Sequence, residues 1–108
     1  METLPNSNEL AFDIPAIQKA ALLFRALNNK QRLHILRLLH KDQQLTVTSI
    51  YQTMGMEQSM TSQYLSVLRK AGFVQTKKVG KYIYYSINYG KLDEIHRYAG
   101  QLLQFTVN

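Results

Sequence analysis

The apolar residues of this chain change period at Gly72. Before that glycine they recur every three or four residues, the spacing that lines one face of a helix. After it they alternate, as in a half-buried strand. Four helices followed by a hairpin and a closing helix account for the pattern. Residues 1–12, METLPNSNELAF, are polar around Pro5 and read as a flexible N-terminal arm. Residues 13–106 then form one domain, since a chain of 108 residues is too short for two ordinary ones.

Punctuation residues divide the helical part. Asp13 is a candidate cap for a first helix, with Pro15 tolerated in its opening turn and Ile17, Ala20, Ala21, Phe24 and Leu27 at helical spacing. Asn29 is placed to cap a second helix running to about His40, whose buried face is expected to include Leu33, Leu36 and Leu39 with Ile35 and Leu38. The segment KDQQLT reads as a connection, and Thr46 or Thr48 can cap a third helix carrying Val47, Ile50, Tyr51 and Met54. Gly55 supplies a left-handed stop. A fourth helix spans Gln58 to Ala71, with Thr61, Leu65 and Leu68 on one stripe. In the hairpin, Ile83, Tyr85 and Ile87 form the apolar parity, Val79-Gly80-Lys81 the tip, and Tyr82 and Tyr84 are expected to brace it against the fourth helix. A last amphipathic helix runs from about Gly90 to Phe105.

Helix, glycine turn, helix and basic hairpin together describe a winged helix-turn-helix, mainly α with a small β-hairpin, in the order α-α-α-α-β-β-α. In that architecture the second helix of the pair enters the DNA major groove. Here it would offer Gln58, Ser59, Ser62, Gln63 and Ser66 to base edges and phosphates, with Arg69 near a backbone phosphate. Charge agrees. Lys and Arg number 13 against 7 Asp and Glu, and the run from Gln58 to Lys81 holds no acidic residue. Lys77, Lys78 and Lys81 concentrate positive charge in the hairpin, for phosphate or minor-groove contact.

Other chemistries fit less well. The absence of cysteine excludes disulfides, thiolate catalysis and thiolate metal sites. There is no glycine-rich phosphate loop and no Ser, His and acid set in a recognisable context, so no enzymatic activity is expected. Tyr82, Tyr84 and Tyr85 do not share one strand face, which disfavours an RNA-stacking platform. An RNA-binding or protein-interaction module is therefore the minor alternative. No secretion signal or membrane-length apolar run is read, and the expected location is cytoplasmic.

The segments LFRALNNKQRLHILRLL, IYQTMGMEQSMTSQYLSVLRKAGFV and VGKYIYYSI resemble the ArsR/SmtB family of bacterial winged-helix repressors. The resemblance covers about Ala20 to Phe105. Arg32 falls on the family's arginine early in the second helix. Ser62, Leu65, Leu68 and Gly72 fit its recognition-helix pattern, and Gly80, Tyr84 and Tyr85 its wing. Tyr64 stands where a histidine is often found. The resemblance implies a homodimer that covers an inverted repeat in its own promoter and leaves when an inducer binds; for this chain the sequence identifies no effector, and a small molecule, a protein partner or no ligand switch at all stay open.

Many members of that family sense metals through cysteines near the third helix or through Asp, His and Glu on the last. This chain lacks the thiols and the full carboxylate–histidine pattern. Asp93 and His96 lie one helical turn apart, and a metal-responsive repressor using them is the second alternative. The expectation carried forward has no cofactor and no metal. Ile17, Ala21 and Phe24 on the first helix, with Leu92, Ile95, Ala99 and Leu102 on the last, are the expected dimer interface.

Overall fold

The computed structural model describes residues 13–107, with side chains described through Gly100. The expected N-terminal arm, residues 1–12, lies outside the described residues. The elements are α1 (Ile14–Leu27), α2 (Lys30–Asp42), β1 (Leu45–Thr46), α3 (Val47–Met54), α4 (Gln58–Lys70), β2 (Val74–Val79), β3 (Tyr82–Ile87) and α5 (Tyr89–Val107). This is the mainly helical winged helix-turn-helix expected, with one addition. The KDQQLT connection holds a short strand, and the sheet is ordered β1-β3-β2.

Side-chain caps fix where the helices begin. The Asp13 carboxylate accepts from the Ala16 amide at 3.2 Å, and the Asn29 side chain from the Arg32 amide at 2.9 Å. Thr46, the first of the two candidates, caps α3 by accepting from the Ser49 amide at 3.2 Å. Each such cap satisfies an amide that the helix leaves orphaned and contributes about 1 kcal/mol. Gly55 ends α3 at φ +66° and ψ +33°, a left-handed conformation that a Cβ would strain. Gly72, at φ +88°, turns the chain from α4 into the sheet, where a Cβ would come within 3.3 Å of the Lys91 side chain.

The core lies where the helices meet the base of the sheet. Ile35, Leu39, Ile50, Leu65, Leu68 and Phe73 are its fully buried side chains. Phe73 is the anchor of the hairpin. Its amide donates to Leu68 O and its carbonyl accepts from the Asn88 amide, each at 2.9 Å, so both strand ends are tied to the helical core. Leu33 departs from the expected buried face of α2, being 48% exposed beside Phe24 and Leu27. Ile35, Leu36 and Leu39 turn inward as expected.

The hairpin register pairs Val74 with Ile87, Thr76 with Tyr85 and Lys78 with Ile83. These pairs face the helices, but burial fades outward along them. Val74 and Ile87 are buried, Tyr85 packs against the core, and Ile83 is 49% exposed. The expected apolar parity is therefore real only at the base. Towards the tip the ribbon is exposed, at Val79, Tyr82 and Ile83 alike.

Candidate nucleic-acid interface

Helix α4 owes its orientation to three contacts on its inner face. Thr61, Leu65 and Leu68 are buried, and α4 packs directly on α3. The Thr61 hydroxyl donates to the Glu57 carbonyl at 2.9 Å, which satisfies the buried polar group inside the first turn. Tyr64 is half-buried and lies beneath Arg32, whose guanidinium carbon is 5.9 Å from the ring centroid. The same guanidinium donates to Ala26 O and, at 3.1 Å, to Arg25 O. Arg32 thus joins the end of α1 to α4, and Tyr64 acts in packing rather than at a base edge.

With that face inward, Gln58, Ser59, Ser62, Gln63, Ser66 and Arg69 are all exposed on the rest of α4. Gln63 can present a donor and an acceptor together to an adenine, while the serines suit either bases or phosphates. The open N-terminal end of the helix also contributes. Tyr51, Met56 and Glu57 line a shallow concavity there with Gln58, Ser59 and Ser62. Those three were not anticipated from spacing. Glu57 is the informative addition, since it sets an exposed carboxylate at the head of an otherwise acid-free surface.

Lys77, Lys78 and Lys81 are exposed on the wing. Lys77 and Lys78 project to opposite faces of β2, as adjacent strand residues must. Lys81 sits over the Tyr82 ring, 5.6 Å from its centroid. The expected bracing of the wing against α4 by Tyr82 and Tyr84 is not found. Tyr82 is 53% exposed at the tip, and Tyr84 pairs with Lys77 and Thr46 on the outer sheet face, beside Gln43 and Gln44. The added strand β1 explains this: it occupies the free edge of β3 and brings the turn after α2 against Tyr84.

The residues expected at a dimer interface divide. Ile17 and Ala21 are exposed, and Phe24, Leu92 and Ala99 half-buried. Ile95 is 5% exposed and belongs to the core of the single chain, where it has little surface left to offer a partner. The Leu102 side chain lies outside the described residues. Exposed Ile14 on α1 extends the apolar surface beyond the expected set, while exposed Leu22 lies on another side of that helix. Asp93 and His96 are exposed on α5, and among the described residues no group of three or more His, Cys, Asp and Glu could hold a metal. No helix among them is long and apolar enough to cross a membrane.

Comparison with known proteins agrees with this geometry. Residues 29–76 match the bacterial regulatory protein, arsR family. An uncharacterized HTH-type transcriptional regulator of Methanocaldococcus jannaschii is 33% identical over 85 residues, 79% of this chain and 96% of that protein. The transcriptional activator HlyU of Vibrio cholerae is 36% identical over 70 residues, 65% of this chain and 64% of its own length. The crystal structure of the transcriptional repressor PagR of Bacillus anthracis superposes with a TM-score of 0.67 at 31% identity, covering 81% of this chain and 99% of that one. The chain belongs to the arsR family, and it is a winged helix-turn-helix DNA-binding transcriptional regulator.

Proposed function

We propose that the protein is a homodimeric repressor that reads an inverted repeat in its own promoter. In each protomer α4 enters a major groove while Lys77, Lys78 and Lys81 hold the flanking phosphates. The observation that carries this reading is the division of α4 itself: its buried stripe is apolar apart from the satisfied Thr61, and its exposed surface, polar apart from Met60 and Val67, is free of acid from Gln58 onward. Bases are read by the second only because the first is fixed to the core. Repression needs nothing beyond occupation of the promoter, and PagR, a relative of similar length, is named a repressor.

The test is a titration of the protein against duplex fragments of its own upstream region, with random duplex as the reference and salt varied. The expected result is a fragment bound at least a hundredfold more tightly than random DNA, with affinity falling steeply as salt rises. Equal affinity for every fragment would reject the specific repressor. A reporter whose output rises with the protein would replace repression by activation, the sign in HlyU's name.

A further inference from the structure

Helix α2 carries His34, Arg37 and Lys41 at spacings of three and four residues, which places the three on one side of the helix. All are exposed, and among the described residues none is joined to a carboxylate. Arg37 and Lys41 stand at the i, i+4 spacing at which like charges repel on a helix. This surface is also concave. The three side chains form the rim of a cavity of about 300 Å³ between α2 and the last turn of α3. Half-buried Leu38 and Met54 contribute apolar surface to it, Gln31 and Thr53 also line it, and among the described residues no acidic side chain takes part.

We infer that this cavity binds a small organic carboxylate. Its carboxylate is held by Arg37, whose planar guanidinium matches two oxygens, and by Lys41. Its aliphatic or aromatic body rests on Leu38 and Met54. The volume is at the lower end for small-molecule sites, which suits a ligand of about ten heavy atoms. Inorganic phosphate or a DNA phosphodiester would satisfy the cations and leave the apolar floor in water. The cavity shares no residue with the exposed stripe of α4 or with the wing lysines.

Its place in the fold gives the ligand a consequence. Thr53 and Met54 immediately precede Gly55, the left-handed joint that sets α3 against α4. A group seated on Met54 bears on that joint and so on the recognition helix. This consequence rests on the operator-reading role of α4; the binding itself does not.

The experiment uses protein carrying ¹³C-methyl methionine, titrated without DNA against octanoate and benzoate, with benzyl alcohol as the uncharged control. Both carboxylates should move the Met54 methyl resonance saturably, and benzyl alcohol should move it far less. The double variant R37Q/K41Q, altered only at exposed positions, should keep its melting temperature and bind the carboxylates at least tenfold more weakly. At saturation, benzoate should change operator affinity at least threefold in the native protein only. A Met54 resonance indifferent to both carboxylates, or a double variant that binds them normally, overturns the site. Unchanged operator affinity at saturation overturns the link to α4. If R37Q/K41Q instead loses DNA affinity without ligand and its salt slope falls by about two, the stripe is a phosphate contact and the inference is wrong. Failure of the operator reading would show in the DNA titration alone and leave the methionine titration intact.

Discussion

Two exposed side chains on the DNA-facing surface should fail in different ways. Gln63 can form a paired contact with one base, so Gln63→Ala should cost about 1–3 kcal/mol at one or two operator positions and leave random DNA almost unaffected. Lys81 is proposed to meet phosphate, so Lys81→Ala should weaken both kinds of DNA and lower the salt slope by about one. Equal losses on cognate and random duplex from both variants would refute this division of roles. Glu57 adds a third case with the opposite sign. Its exposed carboxylate heads α4 without serving as a side-chain cap, so removing its charge costs the helix no capping hydrogen bond. Glu57→Gln should therefore bind random duplex more tightly, read as a higher affinity at every salt concentration. Weaker binding would mean that Glu57 accepts a hydrogen bond from a cytosine amino group instead.

The joint between α3 and α4 offers a cleaner test of backbone than of contact. A Cβ built on Gly55 meets nothing within 4 Å, so Gly55→Ala introduces strain without a clash. The left-handed conformation should cost about 1–2 kcal/mol, seen as a melting temperature lowered by roughly 4–15 °C in a domain of this size. An unchanged melting temperature would show that the joint relaxes freely. This glycine was legible in advance because it follows an apolar helical run at once, and the same holds for the caps at Asp13 and Asn29. Strand β1 was not legible, since two residues are too few to show alternation. Nor was the turn before it. Gln43 adopts φ +72° with no glycine to announce it, held by its side-chain amide donating to His40 O at 2.7 Å. Among the site residues, the exposed stripe of α4 followed from helical period alone. The positions of Tyr82 and Tyr84 did not, because they depend on which edge of β3 is covered. Leu33 and Ile95 show the matching limit for burial: periodicity identifies an apolar face without saying how far its neighbours reach.

Assembly decides whether two such surfaces can act on one operator. Two recognition helices must stand about 34–36 Å apart to enter successive major grooves, and a two-fold dimer sets that distance once for every copy. Among the described residues a suitable surface is left exposed. Ile14, Ile17, Ala21 and Phe24 fall at spacings of three and four along α1, beside the buried stripe of Ala20, Leu23 and Ala26. Leu33 widens the same surface, bordering a concavity with Ala21, Phe24 and Leu27. Burying it against a second copy is favourable at about 25 cal/mol per Å² of apolar area. Ile95 contributes from within, holding α5 to the core, and the salt bridge of Lys19 to Glu94 at 3.8 Å links α1 to α5 from outside. Ile17→Glu is the informative substitution, because the side chain is 43% exposed in the protomer and a carboxylate there is tolerated by a monomer. In a dimer it would be buried without a partner. Sedimentation equilibrium at micromolar concentration should find the native protein dimeric and Ile17→Glu monomeric, with the helical circular dichroism of the two alike. Operator affinity should fall by at least tenfold in the variant, although residue 17 lies outside the DNA-facing set. A monomeric native protein, or a variant that dimerises and binds DNA normally, would show that α1 completes only its own core.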